Sequence, residues 1–414
     1  MKYYGLKWFH SVFHGHITQT NQTLIMKKTA MLIGLAAVLG FSSNAQAIDW
    51  NWKGDIRYRY QSQLKADQDD VDDHSEDRHR IRVRFGVSPW INEELSAGLQ
   101  LSSGGTDPVS RNETLGDNFA ADGIVLNQAY IDYHPMFLDG DVNFILGKRE
   151  AKSTLTVIDD LVWDGDVTLE GITVQYGKDA KGKEKSGLCA IAGYYLVDEA
   201  AYVGEYEGTA PYLLAAQLSY KGTVSDLGYQ VGASYYNYVN LGHGKNDSVA
   251  YFGYSEELDY DIVELFGNVS GKVSSLPWKL YGQFAQNFAD TDEHTYLDDD
   301  ASTAYLVGLK LGKAKKPGQM EASVEYFNLG ASSVNPHLTD SDRGDLTKQN
   351  VVGVIAKTEW LTNVEGFKVG AKYQLIQNMQ LGMTYFNTGY ADAPEGTDSD
   401  WRGHMLQADA VVKF

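Results

Sequence analysis

From residue 50 onward, apolar side chains recur at every second position in runs of about nine to twelve residues. A period of two puts neighbouring side chains on opposite faces of a strand, so each run has one apolar and one polar face. Tyr212, Leu214, Ala216, Leu218 and Tyr220 share a face, with Gln217 and Ser219 behind them. Tyr305, Val307, Leu309 and Leu311 oppose Gly308 and Lys310. Phe367, Val369, Ala371, Tyr373 and Leu375 oppose Lys368, Lys372 and Gln374. A soluble sandwich also alternates, but its apolar face meets a core. Aromatics at the ends of an aliphatic face, with Gly, Ala, Ser and charges on the other, suit lipid outside and water inside. The run length is that of a tilted strand crossing a bilayer.

Sixteen such segments are expected, near 50–62, 78–88, 95–103, 124–134, 141–149, 165–177, 187–197, 211–221, 227–239, 258–271, 277–288, 302–312, 319–328, 364–375, 379–388 and 402–414. The predicted fold class is all-β: a transmembrane antiparallel β-barrel with a water-filled interior. Connections alternate in length, as periplasmic turns and external loops do: short ones include 89–94, 135–140, 222–226, 272–276, 313–318 and 376–378, and long ones include 63–77, 104–123, 150–164 (the third), 240–257, 289–301, 329–363 (the seventh) and 389–401. Asp67, Asp69, Asp70, Asp72 and Asp73 fill the first long loop, and Asp298, Asp299 and Asp300 lie in another. Lys178, Lys181, Lys183 and Lys185 lie in a turn. The apolar segment 351–361 is expected to fold over the mouth or to add a strand.

The acidic first loop lacks the ordered spacing of a dedicated calcium loop, so a solvated surface bridging divalent ions to lipopolysaccharide is the expectation. A single cysteine, Cys189, rules out an intramolecular disulfide and a Cys-based metal cluster. A net charge of −20 argues against nucleic acid as a partner. The ten histidines are scattered, no serine motif has a plausible His beside it, and no cofactor is expected.

Residues 30–41 form an apolar run after Lys27 and Lys28 and before Ala45-Gln46-Ala47. A basic start, a short apolar stretch and an A-x-A end make a secretory signal peptide, cleaved after Ala47. The run is too short for a membrane helix, which needs about 20 residues. The expected organisation is an overextended gene start over 1–25, a signal peptide over 26–47 and a barrel over 48–414.

The second segment reads Arg78-His79-Arg80-Ile81-Arg82-Val83-Arg84-Phe85. Its four arginines share one face; in the first segment Arg57 and Arg59 oppose Ile56, Tyr58 and Tyr60. Adjacent strands would set both columns side by side. On the lipid face each arginine would cost about 2–4 kcal/mol near the midplane, so the lumen is their place. A guanidinium keeps its charge at any physiological pH. A simpler structural role, pairing with lumen carboxylates such as Asp132 or Glu264, is the competing expectation.

Trp52-Lys53-Gly54-Asp55-Ile56-Arg57-Tyr58-Arg59-Tyr60 at the start, Gly147-Lys148-Arg149 before a long loop, and a last strand carrying Leu406, Ala408, Ala410, Val412 and Phe414 on one face form an ordered set. Together they resemble the putative porin family of Gram-negative bacteria, similar in architecture to the general trimeric diffusion porins. The resemblance implies an outer-membrane homotrimer, contacts with the lipid bilayer and lipopolysaccharide, and passive diffusion of small hydrophilic solutes and ions. It implies that Phe414, Val412, Ala410 and Leu406 act as a signal to the barrel assembly machinery. It also implies a third long loop folded into the lumen, where Leu155, Val157, Ile158 and Trp163 would pin it. Its carboxylates Asp159, Asp160, Asp164 and Asp166 would then face Arg57, Arg59, Arg78, Arg80, Arg82 and Arg84 across a constriction. Alternatives are a channel selective for phosphate or other anions, one for oligosaccharides with Tyr130, Tyr236 and Tyr281 stacked along the lumen, and a barrel that only anchors an adhesin.

Overall fold

The computed structural model describes residues 48–65, 74–138, 140–179, 183–198, 202–203, 206–207, 210–241, 260–289, 299–343, 362–392 and 402–414. The proposed gene start and signal peptide, most of the first acidic loop, the acidic stretch 290–298 and the apolar segment 351–361 lie outside them.

Sixteen long strands form one closed antiparallel barrel among the described residues. They are β1 Asp49–Lys65, β2 His74–Asn92, β3 Leu95–Ser102, β4 Val125–Tyr133, β5 Val142–Glu150, β6 Thr168–Tyr176, β7 Gly187–Leu196, β8 Tyr212–Val224, β9 Leu227–Val239, β10 Asp261–Val273, β11 Leu276–Asn287, β12 Thr303–Gly312, β13 Met320–Leu329, β14 Val364–Ile376, β15 Met379–Gly389 and β16 Gly403–Lys413. Each pairs with its neighbours in chain order, and β16 returns to β1 with Ile56 opposite Val412 and Gln61 opposite Gln407. Closure removes the exposed ladder edges that no membrane span can leave unpaired.

Alternation sets the two faces as expected. Leu214, Leu218 and Tyr220 are exposed on the outside of β8, while Leu213, Ala215, Gln217 and Ser219 are buried within. Ile56, Tyr58, Phe85, Val412 and Phe414 likewise face outward.

Several strand boundaries differ from the periodicity. The segment expected at 165–177 begins only at Thr168, because Asp164 and Asp166 shape a turn first: Asp166 N donates to Asp164 Oδ1 at 2.7 Å and Val167 N to Asp164 O at 3.2 Å. β1 and β2 run past their expected ends because their pairing continues from Arg59 opposite Arg80 to Gln63 opposite Glu76 and Lys65 opposite His74.

The interior is drier than alternation predicts. Inward side chains of β8 to β13, among them Leu213, Tyr236, Tyr238, Ile262, Leu306, Phe327 and Leu329, form one buried cluster with Leu155, Leu161, Val162 and Trp163 of the third long loop and Val334 of the seventh. These lumen positions are apolar because they pack against loop residues rather than water.

Candidate functional site

The third loop leaves β5 through a short helix, α1 (Ala151–Thr154), and runs along the inner face of the barrel. Backbone and wall side chains hold it. Thr156 N donates to Gln217 Oε1 at 2.6 Å, Asp159 N to Gln283 Oε1 at 2.9 Å, and Lys178 Nζ to Leu155 O at 2.6 Å. Lys178, read from sequence as one of a set of turn lysines, thus sends its side chain inward. Burial lowers its pKa to about 8 against the pull of Glu184. Trp163, 1 % exposed, meets Tyr236 edge to face at 5.2 Å.

The first part of the seventh loop, 330–343, is the element sequence reasoning missed. Val334, Asn335, Thr339 and Arg343 are buried. Asp164 N donates to Leu338 O at 2.7 Å, Thr339 Oγ1 to Leu161 O at 2.7 Å, and Arg343 Nη1 to Asp160 O at 2.6 Å. Arg343 also pairs with Glu325 of β13 at 3.2 Å. The signal was faint: Ser332, Ser333, Asn335 and Thr339 read as an ordinary polar loop.

A cavity of about 900 Å³ lies between these loops, the second loop and the wall formed by β14, β15, β16, β1 and β2. All six predicted arginines line it, as do Asp160 and Asp164. The register sets Arg57 opposite Arg82, Arg59 opposite Arg80 and Asp55 opposite Arg84. Like charges directly across a ladder repel, so this arrangement is held by partners.

Those partners correct the expectation. Arg59 binds Asp409 of β16 in a fork, at 2.7 Å and 2.9 Å, and Asp342 of the seventh loop at 3.1 Å. Arg82 and Arg84 share Asp55 of β1, at 3.0 Å and 2.7 Å, and Asp166 of the third loop, at 3.6 Å and 3.4 Å. Arg78 meets Glu76 at 3.5 Å. Asp159 turns the other way, to Lys310 of β12 at 2.8 Å. The third loop is held by the β11 side chain of Gln283 beside β12, which aims Asp159 at that wall. Asp132 pairs with Arg149 at 3.2 Å, and Glu264 accepts from Ser234, Tyr236 and Gln283, so neither serves the arginine columns.

The loop carboxylates differ in their protonation. Burial works against Asp159, yet the charges of Lys368 and Lys310 hold its carboxyl well below the usual range. Burial, then the negative charges of Asp159 and Asp340, push Asp160 up to about 7. Burial, with Asp160 and Asp340 close by, raises Asp164 well above its ordinary value.

The proposed sugar-stacking aromatics are not free. Tyr236 is 0 % exposed behind Trp163, Tyr281 is 3 % exposed beneath Lys310 at 4.5 Å, and Arg149 lies 4.7 Å over Tyr130. Among the described residues, no group of His, Cys, Asp and Glu is arranged to hold a metal ion.

A family model described as putative porin matches residues 39–268. The barrel is similar to that of OprB from Pseudomonas putida, at 11 % identity over 88 % of this chain and 94 % of that one, with a TM-score of 0.56. It is also similar to an anion-selective porin from Comamonas acidovorans, at 11 % identity over 89 % of this chain and 100 % of that one, with a TM-score of 0.51. Comparison with curated proteins returned no match. At such identities the two structures speak for the barrel alone, whereas the family match covers more than half of the sequence. A closed sixteen-stranded barrel, apolar outside and charged within, in a chain with that match, belongs to the putative porin family and is an outer-membrane channel.

Proposed function

We propose that the channel passes small hydrophilic solutes and ions by passive diffusion, through the cavity between the arginine columns and the inserted loops. The observation that carries this reading is the cavity lining: Arg57, Arg59, Arg78, Arg80, Arg82 and Arg84 on one side, Asp160 and Asp164 on the other. Oriented charge on opposite sides of a narrow passage orders water and polar solutes, and it penalises apolar ones that cannot replace that water. Asp166 and Asp342 act in this constriction as well, because they meet the arginines directly. Asp159 serves instead to anchor the third loop to Lys310.

The rest of the reading follows from sequence and family. Residues 26–47 direct export and are removed near Ala47, with Met26 as the start. Phe414, Val412, Ala410 and Leu406 present one outward face of the last strand to the barrel assembly machinery. The long loops face the exterior and lipopolysaccharide, and three barrels assemble as a homotrimer, as in the porins this chain resembles. No catalytic role is assigned to any residue.

Purified, folded protein in a planar bilayer should give large, stepwise, ohmic conductance in potassium chloride. Silence in that assay would favour a barrel that only anchors. So would an Arg80→Ala, Arg82→Ala variant with unchanged ion flux.

A further inference from the structure

The six arginines of β1 and β2 that line the cavity do not share its carboxylates evenly. Arg59, Arg82 and Arg84 each hold one at 3.0 Å or closer, and Arg78 meets Glu76 at 3.5 Å. Arg57 and Arg80 have no carboxylate within 4.0 Å among the described residues. Arg57 Nη2 donates to Asn112 Oδ1 at 2.5 Å, and Arg80 Nη2 to Ser110 Oγ at 3.3 Å. The Nε of each is buried without an acceptor.

These two side chains are diagonal neighbours on the ladder, since Arg57 faces Arg82 and Arg59 faces Arg80. Diagonal inward positions stand about 7–8 Å apart, close enough for two long guanidinium side chains to converge on one solute. The second loop is fitted over them. Its short strand Glu113–Thr114 pairs with β2 at Arg80 and Ile81. Arg111, 5 % exposed, ties the loop to β4 through Asn127 Oδ1 at 2.5 Å. The loop is therefore placed by its own anchors, independently of any solute.

Three donors, Arg80 Nη2, Asn112 N and Asn112 Nδ2, lie 3.3 Å from Ser110 Oγ, and together they fill the two lone pairs of the hydroxyl. Its own proton is left to donate elsewhere. Two guanidiniums with no carboxylate within 4.0 Å among the described residues, and a hydroxyl proton, thus meet at one corner of the cavity. Guanidinium binds phosphate and carboxylate oxygens in a fork, and charge-assisted bonds of this kind are the strong ones.

We propose that Arg57, Arg80 and Ser110 form a binding site for the oxyanion group of a passing solute, a phosphate or a carboxylate. The site rests on the channel reading above and narrows it to a solute class. In a wet lumen the binding is transient, which suits conduction: a solute must be held strongly enough to enter and weakly enough to leave.

The test uses inorganic phosphate as the probe, added at constant ionic strength to single channels carrying current in potassium chloride. Phosphate should reduce the chloride current along a saturating curve. An Arg57→Gln, Arg80→Gln double variant should need about ten-fold more phosphate or beyond for the same reduction, as expected for losing charged donors. Ser110→Ala, which leaves both strands untouched, should weaken the effect about three-fold. Equal sensitivity in the double variant, or an unblocked wild type, overturns the site while leaving the channel intact. Should the double variant fail to fold, Ser110→Ala decides alone, and an unchanged block overturns the proposal. Calorimetric titration of phosphate into detergent-solubilised protein reads the site even where no current flows. Heat of binding without current would sink the channel reading and keep the site; no heat of binding would sink the site.

Discussion

Gly54 and Phe414 seal the barrel at the seam between its first and last strands. Gly54 N donates to Phe414 O at 2.8 Å, and Phe414 N donates to Gly54 O at 3.0 Å. The Phe414 ring lies over the glycine: a Cβ there would stand 2.8 Å from the ring and 2.6 Å from Arg84 O. Backbone crowds this position on one side, so the ring alone cannot give way. Gly54→Val should cost about 1–3 kcal/mol, the usual range for overpacking. The check is the urea midpoint of the folded, heat-modifiable form in lipid vesicles; an unchanged midpoint would show that the seam tolerates a side chain.

Arg343 joins the two inserted loops to the wall. Its guanidinium reaches Glu325 at 3.2 Å and Asp160 O at 2.6 Å, and it is 1 % exposed. Removing one partner of a buried pair leaves the other charge unpaired, at about 3–5 kcal/mol. Arg343→Ala should therefore release 330–343 from the third loop as well as destabilise the protein. Single-channel conductance should rise above that of the wild type, and a variant with wild-type conductance would place the constriction elsewhere.

Loop insertion also bears on sugars. Oligosaccharide channels need aromatic faces open to the lumen, and Tyr130, Tyr236 and Tyr281 are covered by Arg149, Trp163 and Lys310. Maltose-series oligosaccharides should produce no saturable block of ion current at concentrations where phosphate does. A clear, saturating sugar block would require aromatic faces that these three side chains do not offer.

What could be read in the chain beforehand follows from how local each feature is. The faces of β8, β9 and β14 were legible because an outward Leu218 and an inward Gln217 are fixed by the pleat alone. The side-by-side arginine columns were legible for the same reason, since β1 and β2 are neighbours in sequence. The partners of those arginines were not. Asp409 reaches Arg59 only because the barrel closes, which brings together positions 350 residues apart. Asp342 reaches it only because the seventh loop bends inward, and nothing in the local pattern of 330–343 announces that. The direction of Asp159 was likewise set by a distant wall residue, Gln283, acting on the loop backbone.

Asp160 gives the channel a pH dependence with a definite sign. It lines the cavity, and burial together with Asp159 and Asp340 pushes its pKa up to about 7, so near neutrality a fraction of molecules carries the proton there. As pH rises through that value, a negative charge appears beside the lumen, and the preference for cations over anions should increase. Lys368 pairs with Asp340 at 3.2 Å on the same side of the cavity. The linkage to stability runs the opposite way. The folded state favours the protonated carboxyl, so its stabilising contribution is full below the unfolded value of about 4 and is lost as pH rises through about 7. Reversal potentials in a salt gradient between pH 5 and 8 should shift towards cations in the wild type and stay nearly flat in Asp160→Asn. A wild-type shift that persists in Asp160→Asn would assign the titration to another group, with Asp164, which burial and Asp160 also raise, as the next to replace.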